Sequence, residues 1–153
     1  MGVNMRTVIG YDLDGVICAD VQWDGDVSKE AIDKLHQLRD QMYPTFYPSG
    51  DFVIITGRPE EDESPTWKWL NKYEIGPHRL HMATKSGKDW GIDHVIYHKA
   101  RWISHYASQD EDLRMVCFIE SDWNQVVELK KLCPIPVYHF GTQLNLYFEE
   151  FRL

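Results

Sequence analysis

A parallel α/β fold of five strands is the expectation from this sequence, and three observations carry it. Apolar, β-branched runs alternate with stretches of helical periodicity along the chain. Those runs are apolar at nearly every position rather than every second one, as strands buried on both faces are. Polar residues also gather where the runs stop, and ligands of such sheets bind at the carboxyl ends of the strands.

In "TVIGYDLDGVICAD" (7–20), residues 8–12 read as the first strand. Ser28 stands where an N-cap belongs, ahead of a helix with Ala31, Leu35, Leu38 and Met42 on one face. "YPTFYPSG" (43–50) ends that helix with two prolines and a glycine. "DFVIITGRP" supplies a second buried strand at 52–55, closing on Thr56, Gly57 and Arg58. In "SPTWKWL", Ser64 reads as N-cap and Pro65 as the first helical residue, with Trp67, Leu70 and Tyr73 sharing a face. "HRLHM" (78–82) is a short third strand, and "GIDHVIYHK", ambiguous by pattern, leads into a helix expected over about 98–107. "RMVCFIESD" is a clear fourth strand, with Asp122 and Gln125 spaced as a capping box for a helix to about Leu132. "CPIPVYHF" supplies the fifth strand. The sum is a three-layer, Rossmann-like α/β domain with a five-stranded, mostly parallel sheet.

Composition narrows the class. A chain of 153 residues is the usual size of one domain, and at 43% hydrophobic it can bury a sizeable core. No apolar run approaches a membrane span, the start "MGVNMRT" lacks a signal-peptide core, and Arg6 stands where a myristoylation site needs Ser or Thr. A soluble, cytoplasmic protein without a membrane partner is expected. Cys18, Cys117 and Cys133 are odd in number, show no CxxC spacing and sit beside apolar residues, as buried structural thiols do. The net charge of −8 argues against a broad grip on duplex nucleic acid, which needs a basic face, while leaving room for a contact at one phosphate.

Asp12 and Asp14 pose the chemical question. Carboxylates at the end of a buried strand are costly unless compensated. One can attack phosphorus and form an aspartyl-phosphate. A second can act as acid toward the leaving oxygen and then as base toward water. With a third acid from another strand, such a pair needs a cation to coexist, and hard oxygen ligands with a substrate phosphate suit Mg²⁺. A calcium loop does not fit, because positions six and twelve counted from Asp12 hold Ile17 and Trp23. The bland alternative is an Asx-type turn into Gly15. At the second strand end, the Thr56 hydroxyl and free amides can bind a phosphate oxygen, and Gly57 lets the backbone come close. Arg58 is either a bidentate phosphate ligand or a surface residue. Lys85, Lys88 and Lys99 are the candidate fixed cations; Lys99 opens a predicted helix, and the other two lie in the loop "TKSGKDW". Glu120, Ser121 and Asp122 close the fourth strand.

Taken in order, "VIGYDLDGV", "FVIITGRP", the lysine of "HKARWI" and "VCFIESD" resemble the four motifs of the haloacid dehalogenase (HAD-like) superfamily of phosphohydrolases, over nearly the whole chain. The resemblance implies one small, capless HAD-like hydrolase domain over residues 1–153. It implies Asp12 as nucleophile, Asp14 as general acid/base, Thr56 as the phosphate-binding hydroxyl and Lys99 as the motif-three lysine, with Gly57 and Arg58 at the substrate. Mg²⁺ would be held by Asp12, Asp14 (through its backbone carbonyl) and the fourth-motif acids Glu120 and Asp122. An acid at position 14 implies phosphatase rather than dehalogenase chemistry. Ser121 departs from the pattern of two adjacent acids, which leaves either Glu120 or Asp122 as the metal ligand. The segment "TGRPEEDESPTWKWLNKYEI" is similar to 3′-phosphatase modules of polynucleotide kinases, and the fourth motif resembles phosphatase modules found with phosphoribosyltransferase-like proteins. The expected substrate is a small phosphorylated metabolite, with a nucleic-acid 3′ end or a non-catalytic phosphate- or partner-binding module as alternatives. Capless members have open sites that suit bulky substrates or are closed by another subunit, so an oligomer is compatible.

Other features carry less. His94 and His98 lie four apart, but Val95 replaces the glutamate of a zinc-protease helix. Trp67, Trp69, Trp102 and Trp123 fall in predicted helices, where packing on the sheet is expected, whereas Trp23 and Trp90 fall in loops where one can stack on a base or sugar. The tail 143–153 is amphipathic and suits packing on the core or on a second copy.

Overall fold

A computed structural model describes residues 5–21, 26, 28–84 and 92–141. Trp23, Lys85, Lys88, Trp90 and the tail 143–153 lie outside the described residues. Five strands, β1 (Arg6–Tyr11), β2 (Phe52–Pro59), β3 (Arg79–Ala83), β4 (Leu113–Glu120) and β5 (Val137–His139), form one sheet in the order β3-β2-β1-β4-β5. Every pair in it is parallel. The helices are α1 (Lys29–Asp40), α2 (Glu63–Lys72), α3 (Ile92–Ser108) and α4 (Trp123–Leu132).

Alternation along the strands sorts the core into two layers. Ile9, Tyr11, Ile54 and Ile119 pack with Trp69 and Leu70 of α2 on one face of the sheet. Val8, Val53, Ile55 and Phe118 pack on the other with α3 and α4, through Ile96, Ile103, Val126 and Leu129. The chain winds outward from β1 to β3, then crosses to β4 and β5, so strand order switches between β1 and β4. Asp12 extends that pairing one residue past β1, its amide donating to the Ile119 carbonyl at 2.9 Å.

Several expectations need correction. Of the proposed α1 face only Leu35 is buried, and Leu38 is 39% exposed. Ser28 does cap α1, accepting from the Ala31 amide. The inward stripe instead includes Ile32, Leu35 and Arg39, because α1 lies over the pocket rather than on the sheet. Helix α2 opens at Glu63, after a 3-10 turn over Glu60–Asp62, so Ser64 is not its N-cap and Pro65 is not its first residue. Pro65 is still tolerated, since amides of a first turn have no helical partner. Helix α3 begins at Ile92, well before 98. The polar Asp93 and His94 that obscured its start lie outside the core, while Ile96, Ala100 and Ile103 at helical spacing are buried. The capping box is half formed: Asp122 accepts from the Gln125 amide at 3.0 Å, but the Gln125 side chain turns to Lys99. Trp123 is 53% exposed rather than packed on the sheet. No helix among the described residues is long and apolar enough to cross a membrane.

Candidate active site

The turn after β1 is built on one carbonyl. Leu13 O accepts from the amides of Val16, Ile17 and Cys18, and Gly15 makes the reversal with φ of 85°. This places Asp12 at the junction of β1 and β4. Its Oδ1 accepts from the Leu13 amide at 2.8 Å and lies 3.3 Å from Lys99 Nζ. Its Oδ2 accepts from Ser121 Oγ at 3.2 Å. Lys99, only 2% exposed, reaches from α3 to Glu120 Oε1 at 2.6 Å and Gln125 Oε1 at 2.8 Å. The second Glu120 oxygen accepts from the amides of Ser121 and Asp122.

One buried cation therefore serves two buried carboxylates. Burial pushes the Asp12 carboxyl well above its ordinary value, the Glu120 charge adds to that, and Lys99 offsets only part. Burial also works on Glu120, but the Lys99 ammonium, hydrogen bonding with Asp12 and the Asp122 amide together hold Glu120 low. For Lys99, burial disfavours the charge and the two acids more than restore it.

Asp14 has a different partner. Arg58, at the far end of β2, donates to it through Nη2 at 2.6 Å and Nε at 2.9 Å, and its Nη1 is anchored on Thr66 Oγ1 of α2. Burial raises the Asp14 carboxyl, but Arg58 outweighs it, and the carboxyl stays below its ordinary value. Cys18 Sγ lies 3.6 Å from Asp14 Oδ1. Burial and that charge push the thiol up to about 12, so it is an inert structural cysteine.

Thr56 is fully buried, accepts from the Arg58 amide at 3.1 Å through Oγ1, and does not line the pocket. The β2–β3 ladder is irregular between Ile55 and Pro59, and His98 from α3 bonds the Thr56 carbonyl at 2.9 Å through Nε2. Gly57 meets α3 here: a Cβ on it would lie 2.9 Å from Val95 Cγ1.

The pocket holds about 430 Å³, within the range of small-ligand sites. Asp12, Asp14, Lys99 and Ser121 line it, together with Gly57 and Arg58. Glu120 does not, being fully buried under Lys99, whereas Asp122 does. Sequence reasoning missed Arg39, Asp62 and Gln125, which also line it. Only the spacing of Arg39 four residues after Leu35 hinted at a shared face.

Among the described residues no group of three His, Cys, Asp or Glu side chains stands ready to hold a metal ion. A looser oxygen set does exist. Ser121 Oγ lies 3.2 Å from Asp12 Oδ2 and 2.9 Å from the Asp14 carbonyl, so its hydroxyl bridges one carboxylate oxygen and one backbone oxygen at the pocket wall. Mg²⁺ is usually held by one or two protein oxygens, with water and substrate phosphate completing its octahedron, and this donor set fits it.

No protein-family model and no curated protein matches the chain. Solved structures share the fold. A chain in the structure of the Pnkp1/Rnl/Hen1 RNA repair complex superposes with a TM-score of 0.56 at 17% identity, covering 90% of this chain and 43% of that one. A chain in a further structure of the Pnkp1/Rnl/Hen1 complex has a TM-score of 0.56 at 14% identity, covering 90% and 46%. This chain thus spans less than half the length of those it matches.

Proposed function

We propose that the protein is a phosphomonoesterase working through an aspartyl-phosphate on a small phosphorylated metabolite, a nucleotide or sugar phosphate, in the manner of the HAD-like hydrolases that its motifs resemble. The observation that carries this reading is the pairing of Asp12 and Asp14 on one pocket wall, with Lys99 beside the first. An Asp12 oxygen attacks phosphorus, a P–O bond forms, and the bond to the leaving oxygen breaks. Asp14 supplies the proton to that oxygen, then takes one from the water that hydrolyses the aspartyl-phosphate. Lys99 offsets charge on the phosphoryl oxygens. Mg²⁺, bound by Asp12 Oδ2 and the Asp14 carbonyl, would supply further charge neutralisation and favour ionised Asp12. Arg58 holds Asp14 ionised, so a substrate phosphate that draws the guanidinium to itself frees Asp14 to carry a proton. Gly57 lines the pocket beside Arg58, where its backbone can approach that phosphate. Thr56, buried behind Arg58, acts on it through the backbone turn.

A second reading, a 3′-phosphatase on nucleic-acid ends, is supported by the fold shared with a component of an RNA repair complex. The test is release of p-nitrophenol from p-nitrophenyl phosphate with Mg²⁺ and then with EDTA, followed by a panel of sugar, nucleotide and 3′-phosphorylated oligonucleotide substrates. Metal-dependent turnover that Asp12→Asn abolishes, with the fold retained by circular dichroism, is expected. Near-wild-type activity in that variant removes Asp12 as nucleophile. Exclusive activity on the oligonucleotide selects the second reading. A protein that Mg²⁺ or phosphate stabilises without turnover is a binding module.

A further inference from the structure

The pocket lining includes residues that the phosphoryl chemistry does not use. Ile32, Leu35 and Arg39 fall at spacings of three and four on α1, so they form one stripe, and all three line the pocket. Val95 of α3 lines it as well. The apolar members have no role toward a phosphoryl group.

Arg39 is the least committed cation there. Lys99 and Arg58 each have a carboxylate oxygen at 2.6 Å. Arg39 reaches Asp62 only at 3.3 Å through Nη1, and Asp62 is also held by His36 at 2.7 Å. The Arg39 Nε is buried with no hydrogen-bond partner. A buried guanidinium donor left unpaired is costly, and an arriving anion relieves that cost. Burial and the nearby Arg58 charge both work against the Arg39 charge, which adds to the gain from an anion. The exposed carboxylates of Asp20, Glu61 and Asp122 also line the pocket. They disfavour a run of phosphates passing over the site, whereas a single anion beside Arg39 is not so opposed.

Building on the phosphomonoesterase reading, we propose that Arg39 and the apolar stripe of α1 form a leaving-group subsite. Its ligand is a compact phosphomonoester whose apolar segment ends in one oxyanion, a carboxylate or a second phosphate. A nucleic-acid strand is the ligand this arrangement disfavours.

The test uses non-hydrolysable ligands, so it does not depend on turnover. Benzylphosphonate, its para-carboxylate and its para-phosphonomethyl analogue are titrated calorimetrically into the full chain with Mg²⁺. The wild type is expected to bind at least one of the doubly anionic ligands about tenfold more tightly than benzylphosphonate, and which one identifies the oxyanion. Arg39→Met is expected to bind all three alike, with Arg39→Lys between. Ile32→Glu, at a partly buried position of α1, places a like charge on the stripe and is expected to lower the preference even where Arg39→Met does not fold. Equal binding of all three ligands by the wild type overturns the subsite, as does a preference that survives Arg39→Met. No preference in the wild type, with its p-nitrophenyl phosphate hydrolysis intact, overturns the subsite alone. Preference without hydrolysis of any phosphomonoester overturns the catalytic reading and leaves the subsite. Binding of none of the three overturns the subsite, and hydrolysis of p-nitrophenyl phosphate then decides the catalytic reading separately.

Discussion

Arg58 grips both carboxylate oxygens of Asp14, Nη2 to Oδ1 at 2.6 Å and Nε to Oδ2 at 2.9 Å, and both side chains lie largely out of water. A residue readable from sequence as a surface arginine is therefore the counter-ion of the proposed general acid. Arg58→Met leaves a buried carboxylate unpaired and is expected to cost about 3–5 kcal/mol, measured by urea unfolding. Arg58→Lys keeps the charge and costs less. Arg58 is what holds Asp14 low against burial. In a folded Arg58→Lys variant the weaker grip lets burial raise Asp14, and the alkaline limb of the pH–rate profile, where the general acid loses its proton, moves to higher pH. An unmoved limb would separate Asp14 from that titration.

Lys99 and Glu120 are unequal partners. Glu120→Gln leaves Lys99 with Asp12 and Gln125, and a cost of about 1–2 kcal/mol is expected. Lys99→Met leaves Asp12 and Glu120 facing each other without a cation, and about 3–5 kcal/mol is expected. Denaturant midpoints of the two variants check the order, and a reversed order would contradict the single-cation description.

On the proposed reading, Ser121 is where Mg²⁺ affinity would be tuned. Its hydroxyl meets the Asp12 and Asp14 oxygens that would bind Mg²⁺, yet it carries no charge. Ser121→Asp is expected to tighten Mg²⁺ binding about tenfold or more by calorimetry. Its side chain must also clear Gly15, where a Cβ would already lie 2.6 Å from Ser121. Unchanged affinity in a folded variant would point to the neighbouring Asp122 as the acid that faces the ion.

Away from the pocket, Asp110 ties the end of α3 to β4. It accepts from the amides of Leu113 and Asp112, from Arg79 at 2.6 Å, and pairs with His105 at 3.0 Å. Burial alone would raise its carboxyl, but the amides and Arg79 hold it well below the usual range. A depressed carboxyl stabilises the fold above its unfolded value, about 3.9, and that stability drains away as pH falls toward the folded value. Asp110→Asn is expected to cost about 1–3 kcal/mol at pH 7 and to flatten the loss of stability below roughly pH 4, followed by thermal melts across pH. An equally steep acid loss in the variant would assign it to other carboxylates.

The local record in the chain specified the strands, their parallel arrangement and the acids at their ends. Continuous apolar runs such as "FVIIT" have one good solution, burial between two helical layers. Asp12, Asp14 and Ser121 were legible because they stand where strands end and a parallel sheet gathers its ligands, whereas Lys99, in the middle of α3, stood out only through the motif it resembles. Helix starts were less legible. Asp62 is held by His36 and Arg39 from another helix, so α2 opens without the side-chain cap that local spacing suggested. Only the tertiary structure decided which charges meet. Arg58 and Asp14 are 44 residues apart, and Lys99 and Glu120 are 21 apart. Such pairings depend on which chain segments burial brings together, and no spacing along the sequence encodes them. The same holds for the fully buried Thr56 and Glu120, for Arg39 at the pocket wall, and for Ser121 between two oxygens of another strand's turn.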